Sequence, residues 1–282
     1  MGVSPDLLRL FDLSGKNALV TGGASGLGAM ASAALVGAGA RVLITSRKGE
    51  QCAAFAEELT AQGPGSAEGF AGDVSTEHGV AAAAAATSAR VDALHILINN
   101  AGRSWGAPLE RFPFAAWERV MSLNVAGLFS LTQALLPRLR LSASSEDPAR
   151  VVNIGSVMGE VPMGDEAYSY AASKAAVHHL TRILAKELAA DRITVNALAP
   201  GPFVSRMTAF ATADKGRRAK VAATVPLGRV GAPQDIAAAL LYLCGMGGSY
   251  VTGAVLPVSG GVNVETGPPL FAAAASSDER LA

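Results

Sequence analysis

The chain has 282 residues, of which 50% are hydrophobic and 16% charged, so it can bury a large core and is not globally disordered. Lysine plus arginine and aspartate plus glutamate number 23 each, and the formal net charge is +0. This balance argues against nucleic acid or an anionic membrane as a partner. The two cysteines, Cys52 and Cys244, match no metal-ligand spacing and indicate buried free thiols in a reducing, cytoplasmic setting.

The first forty residues are not expected to form a secretory signal or a membrane span. Charged residues at positions 6, 9 and 12 leave no apolar run at the start, so we expect no secretory signal. The uncharged stretch 17–40 is long enough to span a bilayer, but the glycines at positions 22, 23, 26 and 28 would leave backbone groups poorly protected in lipid. We interpret it instead as part of a globular fold.

Short β-branched runs alternate with longer helical stretches along the chain. Strands are predicted at 17–21, 41–45, 66–71, 94–99, 151–155, 193–197 and 255–258. Helices are predicted at 27–38, 50–62, 76–90, 114–140, 167–190 and 233–243. Repeated β-α-β units require parallel strands, so the fold class is α/β, a Rossmann-like doubly wound sheet with helices on both faces. We predict one domain over 1–264, with a substrate lid at 202–226 and a tail at 265–282.

A glycine-rich turn follows the first strand and opens the first long helix. It comprises Gly22, Ser25, Gly26, Leu27 and Gly28, in a G-x-x-x-G-x-G spacing. Glycines there let the backbone approach a pyrophosphate, whose charge meets the N–H groups of the helix N-terminus. A structural loop that needs positive φ is the alternative interpretation. The strand–turn–helix setting favours dinucleotide binding.

The end of the second strand distinguishes between the two nicotinamide cofactors. NAD binding usually uses an acidic residue there, but this chain has Ser46, Arg47 and Lys48, with no carboxylate before Glu50. A hydroxyl followed by a guanidinium suits a 2′-phosphate. NADPH/NADP+ is therefore favoured over NADH, the alternative being that these cations only start a solvated helix.

Two further strand ends complete the predicted cofactor site. Asp73 and Val74 follow the third strand, where they could contact adenine. Asn99, Asn100, Ala101 and Gly102 end the fourth strand, at the switch point where ligands bind to such sheets. Amides that brace the sheet are an alternative, and compatible, interpretation of the two asparagines.

Tyr170 and Lys174 are the candidate catalytic pair. Residues four apart share a helix face, whereas Tyr168 lies six residues from the lysine and on another face. A phenol has a pKa of about 10, and we expect a neighbouring ammonium and an oxidised nicotinamide to lower it. Ser156, at the end of the fifth strand, could bind a substrate carbonyl oxygen. Asn124 could hold a water that relays protons to Lys174, or could be a satisfied amide inside a helix.

In this order the motifs resemble the short-chain dehydrogenase/reductase family from about residue 14 to 262. The resemblance implies a seven-stranded sheet, a catalytic Asn124–Ser156–Tyr170–Lys174 tetrad and a homodimer or homotetramer. It also implies cofactor contacts from Tyr170 and Lys174 and from the segment after the sixth strand, Pro200, Gly201, Phe203 and Ser205. The runs 152–158 and 205–208 look most like the β-ketoacyl reductases linked to rhamnolipid synthesis and their carbonyl-reductase relatives.

The chain departs from the family pattern at three points. The separation of Ser156 and Tyr170 is one residue longer than usual, as it is in that subgroup. Phe203 and Ser205 stand where an aliphatic residue and a threonine are common. Ser25 stands where some NADPH-specific members carry a basic residue, so Arg47 would provide most of the phosphate recognition.

The preferred function is reduction of a ketone or β-keto ester to a secondary alcohol. The second choice is a 3-oxoacyl reductase acting on acyl-carrier protein or CoA, and the third is a non-catalytic NADP(H)-binding regulator. We expect Ser104, Trp105, Val157, Met158, Met163, Phe203, Met207 and Phe210 to wall the substrate pocket. The cluster Lys215, Arg217 and Arg218 could meet an acidic carrier or CoA, or could be only the solvated face of a lid helix.

Two other functional interpretations, a serine hydrolase and a metal site, have weaker support in the sequence. The motif from Gly102 to Gly106 matches the G-x-S-x-G elbow of hydrolases, but Pro108 and Pro113 interrupt the helix that should follow. His178 and His179 point to different helix faces and have no cysteine cluster nearby, so no metal site is predicted.

Overall fold

Seven parallel strands form a single sheet in the order β3-β2-β1-β4-β5-β6-β7. The computed structural model describes residues 4–163, 166–205 and 207–264. The strands are β1 (Asn17–Thr21), β2 (Arg41–Ser46), β3 (Ser66–Ala71), β4 (Ile96–Asn99), β5 (Ala149–Ile154), β6 (Ile193–Pro200) and β7 (Val255–Val258). The predicted doubly wound sheet is confirmed, and every predicted strand lies within a few residues of its observed position.

Ten α-helices lie between or beside the strands in the described part of the chain. They are α1 (Pro5–Arg9), α2 (Gly26–Gly37), α3 (Gly49–Gln62), α4 (Glu77–Ser88), α5 (Phe114–Met121), α6 (Leu128–Ser142), α7 (Tyr168–Leu188), α8 (Ala209–Thr212), α9 (Lys215–Ala223) and α10 (Pro233–Cys244). The short helices α1 and α8 were not predicted, and α9 lies where a lid helix was one interpretation of the cluster Lys215, Arg217 and Arg218. The predicted helix 114–140 is two α-helices joined by a π-helical segment, Ser122–Gly127.

Side chains of the central strands point alternately into two hydrophobic clusters, one on each face of the sheet. In β1, Ala18 and Val20 belong to the cluster formed with α2, α3 and α10, whereas Leu19 belongs to the cluster formed with α4, α6 and α7. Because strand side chains alternate with a period of two, a strand covered on both faces is apolar throughout. This explains why the central strands read as continuous apolar runs.

One long helical stretch is apolar enough to cross a membrane by length and composition alone. Phe114–Ser142 has 29 residues and contains an 18-residue window with a mean hydropathy of 1.4. Its Leu131, Leu135 and Leu139 are buried in the core beside α4 and α7, as expected for a core helix. The uncharged stretch 17–40 contains β1, the glycine turn and α2, so it is not one continuous helix.

The strand order places a crevice where the functional residues were predicted. Connections from β1 and from β4 leave the sheet in opposite directions, and ligands bind at the carboxyl ends of the strands on either side of such a point. The one-domain organisation over 1–264 remains a prediction, supported by the continuous sheet. The predicted tail at 265–282 lies outside the described residues.

Candidate active site

The glycine turn between β1 and α2 is shaped by contacts that no other residue allows. Gly22 has φ +63°, in the left-handed region. A Cβ atom on Gly28 would lie 2.2 Å from the carbonyl oxygen of Gly22 and 2.4 Å from Nδ2 of Asn100. The first turn of α2 is therefore packed tightly onto the loop. Such a cradle fits the pyrophosphate of a dinucleotide.

Thr21 and Asn100 tie the glycine turn to the end of β4. Thr21 Oγ1 accepts hydrogen bonds from the backbone N–H groups of Asn100 and Ala101, each at 3.0 Å. Asn100 Nδ2 donates to the carbonyl oxygens of Thr21 and Gly22 at 2.9 and 3.2 Å. The two turns are thus held together as one rigid wall. Asn100 therefore braces the structure, as one interpretation of the two asparagines predicted.

Asn99 braces the sheet rather than facing the crevice. It is buried, and its Nδ2 donates to Thr132 Oγ1 and to Asn153 Oδ1 at 3.0 and 2.9 Å. Asn153 in turn donates to Thr181 Oγ1 at 3.0 Å. This chain of hydrogen bonds links β4, β5 and α7 beneath the site.

A cavity of about 310 Å³ opens at the carboxyl ends of β1, β2 and β4. Eight of the predicted cofactor residues line it: Gly22, Ser25, Ser46, Arg47, Asp73, Val74, Ala101 and Gly102. The cavity is also lined by residues that were not among the predicted cofactor contacts: Thr21, Ala24, Thr45, Lys48, Gln51, Gly72 and Leu123. Lys48 and Gln51 follow Arg47 closely enough to have been included, but no local signal marks Leu123.

The far end of the cavity carries the groups expected to bind an adenosine 2′-phosphate. Arg47 and Lys48 are exposed cations at its rim. Thr45 Oγ1 is buried there and has no hydrogen-bond partner among the described residues. An orphaned hydroxyl beside two cations fits a polar ligand group at this end.

Asp73 remains ionised beside this end of the cavity. Burial acts to raise the pKa of its carboxyl group, but hydrogen bonds from the Ser75 side chain and backbone outweigh burial and lower it. The charges of Arg47 and Arg103 act in the same lowering direction. The carboxylate is thus available as a hydrogen-bond acceptor for an amino or hydroxyl group.

Tyr170 and Lys174 lie on one face of α7, as predicted from their spacing. Lys174 Nζ is 5.5 Å from the centre of the Tyr170 ring and donates to the carbonyl oxygen of Ile154 at 2.6 Å. Burial lowers the pKa of Lys174 to about 8. A Cβ atom on Gly102 would lie 3.8 Å from Lys174 Nζ, so the ammonium stands at the edge of the cofactor cavity.

Ser156 lies two residues after the end of β5 and beside the phenol of Tyr170. It is buried, and its Oγ accepts from the N–H of Met158 at 3.2 Å. Burial raises the pKa of Tyr170, and the Ser156 hydroxyl opposes that effect. The expected lowering of the tyrosine pKa by Lys174 is therefore not produced by the protein's side chains alone, because desolvation of the phenolate dominates.

Asn124 lies inside the π-helical segment, with its side chain turned toward the site. Its Oδ1 accepts from the N–H of Arg103 at 2.9 Å, and its Nδ2 donates to Arg103 O and to Ser173 Oγ at 3.0 and 2.9 Å. Both amide donors are engaged, so a water could be held by this side chain only through the second lone pair of Oδ1. The π-helical turn, a feature frequent at functional sites, brings the amide to this position.

The start of the lid region approaches the glycine turn. Gly201 packs against Ser259, and a Cβ on Gly26 would lie 3.2 Å from Cβ of Ser205. Ser205 is held in a loop by hydrogen bonds with Thr208, whose Oγ1 donates to Phe203 O at 2.6 Å. The segment after β6 therefore lies against the residues predicted to hold the pyrophosphate.

Phe203 was wrongly expected to wall the substrate pocket. Its side chain is 3% exposed and belongs to the core, where a Cβ on Gly231 would lie 2.3 Å from the ring. Only its backbone remains available to a cofactor carboxamide. Trp105, Met207 and Phe210, by contrast, are exposed, with 42%, 44% and 79% of their surface accessible.

A model of the short chain dehydrogenase family matches residues 16–216. The chain belongs to the short-chain dehydrogenase/reductase family. It is an oxidoreductase of that family, and the family resemblance inferred from its motifs is confirmed.

Three relatives show where the chain lies within the short-chain dehydrogenase/reductase family. It is 49% identical over 257 residues to the rhamnolipids biosynthesis 3-oxoacyl-acyl-carrier-protein reductase of Pseudomonas aeruginosa, which covers 90% of this chain and 98% of that protein. It is 35% identical over 250 residues to the 3-oxoacyl-acyl-carrier-protein reductase FabG of Aquifex aeolicus, with 89% and 98% coverage. The solved RhlG/NADP active-site complex of Pseudomonas aeruginosa has a TM-score of 0.88 and 48% identity, and covers 91% of this chain and 99% of that one. That complex holds NADP, in agreement with the cofactor predicted here.

The structure also argues against the hydrolase interpretation of the motif from Gly102 to Gly106. Ser104 lies in an irregular loop after β4, and no helix follows it directly, so the strand–turn–helix elbow is absent from this segment. Among residues 4–163, 166–205 and 207–264, no group of three or more His, Cys, Asp or Glu side chains could hold a metal ion. His178 is buried and its neighbour His179 exposed, so they face different directions, as predicted.

Proposed function

We propose that the chain is an NADPH-dependent reductase of 3-oxoacyl thioesters, which it converts to 3-hydroxyacyl thioesters. From the sequence alone, a free ketone or β-keto ester was the preferred substrate and a 3-oxoacyl thioester the second choice. Both curated relatives described above, however, are named for 3-oxoacyl-acyl-carrier-protein substrates. The observation that carries the proposal is the position of Lys174 Nζ. It lies beside Tyr170 and at the Gly102 edge of the cavity, so cofactor and acid–base chemistry would meet there.

The residues present fit a bound NADPH along the whole cavity. The Gly22–Gly28 turn would hold the pyrophosphate, and Arg47 with Lys48 would hold the 2′-phosphate. Asp73 and Val74 would flank the adenine, and the backbone of Pro200–Ser205 would contact the carboxamide. When bound, NADPH supplies the hydride.

The chain's own side chains would handle the substrate oxygen and its proton. Ser156 would hold the carbonyl oxygen by a hydrogen bond, and Tyr170 would donate the proton to it. Lys174 would bind ribose hydroxyls, and its charge would stabilise the tyrosinate that remains. Asn124, fixed by Arg103 and Ser173, would maintain the wall behind Lys174.

The outer part of the site favours an acyl chain on a charged carrier. Trp105, Met207 and Phe210, which the sequence predicts to wall the substrate pocket, are exposed, and adaptable methionine side chains suit acyl chains of different length. Helix α9 carries Lys215, Arg217, Arg218 and Lys220 and no acidic residue. Arg217 and Arg218 already donate to the carbonyls of Phe210 and Thr212, so the two lysines are the better candidates for a carrier's phosphate.

The test is a substrate panel that varies one feature at a time. Oxidation of NADPH and of NADH is followed with acetoacetyl-CoA, 3-oxooctanoyl-CoA, 3-oxooctanoyl-acyl-carrier protein, ethyl acetoacetate and an aryl ketone. We expect the C8 thioesters to give the highest kcat/KM, at least tenfold above the ester, and NADPH to be preferred. A higher kcat/KM for the free ketone or ester would overturn the thioester proposal and favour a reductase of free ketones or β-keto esters. NADPH binding without turnover of any compound would support the non-catalytic regulator.

We also propose that the protein acts as a cytoplasmic homodimer or homotetramer. Cys52 and Cys244 are free and buried, which suits a reducing compartment. Large apolar side chains are exposed on the α5–α7 helices, including Phe114 at 88% and Ile183 at 46%. Light scattering after size-exclusion chromatography should give a mass two or four times that of the chain. A monomer at micromolar concentration would contradict this part.

A further inference from the structure

His178 packs against the loop that carries Ser156. It lies one helical turn after Lys174 in α7, and its side chain is 3% exposed. Its Nε2 accepts a hydrogen bond from the backbone N–H of Ser156 at 3.4 Å. The described contacts thus connect this histidine to the backbone of Ser156 rather than to the cofactor cavity.

Two glycines make room for the imidazole on either side of Ser156. A Cβ on Gly155 would lie 2.2 Å from Nε2 of His178, and a Cβ on Gly159 would lie 2.9 Å from its Cε1. Both distances are shorter than real Cβ contacts allow, so the loop 155–159 can close on this ring only with glycine at both positions. The ring and the loop form one packed unit.

The imidazole is neutral in this environment. Burial first, and then the positive charges of Lys174 and Arg182, lower the pKa of His178 to about 4. Glu160, whose Oε1 is 3.6 Å from Nδ1, is the facing acidic group in the described structure. Because Nε2 accepts an N–H, the single ring proton is on Nδ1, toward Glu160. An imidazolium would instead set an N–H against the N–H of Ser156.

We propose that His178 is a positioning residue, whose neutral imidazole holds the peptide of Ser156 so that the serine hydroxyl stays aimed at the substrate oxygen. The inference rests on the proposed function, in which Ser156 binds that oxygen. The hydroxyl of Ser156 lies beside Tyr170 and accepts from Met158 N, and its carbonyl oxygen accepts from Gly159 N, so neither bond holds the N–H of the Ser156 peptide. His178 is the contact that ties the peptide of Ser156 to the rigid helix bearing Tyr170.

The kinetic test compares His178→Phe, which keeps a ring but removes the acceptor, with His178→Gln, whose Oε1 can replace Nε2. His179→Gln is the matched control, because His179 is adjacent and exposed. We expect His178→Phe to lower kcat about 10- to 100-fold through misplacement of a catalytic group. The Kd of NADPH should be unchanged, His178→Gln should stay within about threefold of the wild type, and His179→Gln should match it.

A double-mutant cycle separates positioning from a general structural role. In a Ser156→Ala background, His178→Phe should lower kcat by less than about threefold, because the hydroxyl that it positions is gone. The same loss in both backgrounds, or a His178→Gln variant as impaired as His178→Phe, would overturn the proposal. The ratios are measured on whichever carbonyl compound the wild type reduces, so they do not depend on the thioester assignment.

A second measurement needs no turnover and covers the case in which His178→Phe does not fold. Nitrogen-15 spectra of the wild-type imidazoles, with His178→Gln for assignment, should show His178 as the neutral Nδ1–H form from pH 5.5 to 8.5. An Nε2–H form, or an imidazolium at pH 7, would overturn the inference. If the wild type reduced no compound at all, the proposed function would fail while this spectrum still decided the geometry.

Discussion

Lys174 Nζ lies 5.5 Å from the centre of the Tyr170 ring while donating at 2.6 Å to the carbonyl oxygen of Ile154, at the end of β5. The ammonium is therefore held between the acid–base residue and the strand that leads to Ser156. Removing this ammonium from water destabilises the folded protein. A buried charged group at the edge of a cavity is typical of a functional site.

Replacing Tyr170 with Phe should lower kcat about 10²- to 10⁴-fold, the usual contribution of a general acid. The Kd of NADPH, measured by fluorescence titration, should change less than threefold, since the aromatic ring is retained and only the hydroxyl is lost. Tyr168→Phe is the matched control, because Tyr168 is exposed and stacks edge-on with Phe112. Activity of Tyr170→Phe within tenfold of the wild type would remove Tyr170 from the mechanism.

Replacing Lys174 with Met should abolish most activity yet raise the melting temperature at pH 7. Burial lowers the pKa of this lysine from 10.5 to about 8, which corresponds to about 3 kcal/mol of destabilisation below pH 8. Loss of the bond to Ile154 O offsets about 1 kcal/mol of the gain. A net rise of a few degrees is expected.

The pH dependence of that gain follows from the direction of the pKa shift. Because the folded-state pKa is below the unfolded one, the unfolded chain binds the extra proton between about pH 8 and 10.5. The wild type therefore recovers the lost stability as pH rises through this window, and the advantage of Lys174→Met should shrink at pH 9.5. Lys186→Met, exposed at the end of α7, should show no such change, and an equal gain at both pH values would contradict the assignment.

Replacing Arg47 with Ala should raise the KM for NADPH about 10- to 100-fold, the loss expected for a charge-assisted hydrogen bond to phosphate. The KM for NADH should stay within about threefold, because that cofactor has no 2′-phosphate. Arg41→Ala is the control. Arg41 begins β2, at the end of the strand away from Arg47, and forms an ion pair with Glu68. Equal losses with both cofactors would assign Arg47 a merely structural role.

Replacing Gly28 with Ala should cost several kcal/mol of stability and abolish NADPH binding, since the new Cβ would overlap the Gly22 carbonyl at 2.2 Å. Gly37→Ala, in the same helix, is the control. Its Cβ would meet nothing within 4 Å, and Ala favours helix by roughly 0.5–1 kcal/mol. Thermal unfolding and NADPH titration of both variants test the pair, and an unaffected Gly28→Ala would show that the turn is not tightly packed.

The sequence by itself determined the sheet, the cofactor turn and the catalytic pair. Strands buried on both faces must be apolar throughout, and a lysine four residues after a tyrosine must share its helix face, so these patterns can be read from neighbours along the chain. The same holds for Arg47, because a strand end in a β-α-β unit points to the crevice.

Only the tertiary structure decided which side chains support that site. Thr45 Oγ1, Leu123 and the His178–Ser156 contact depend on segments that are distant in sequence, so no local spacing reveals them. Phe203 was misplaced for the same reason, since its burial depends on Gly231, 28 positions further along the chain. The raised pKa of Tyr170 likewise reflects how completely the folded chain desolvates the phenol, which is a property of packing and not of sequence spacing.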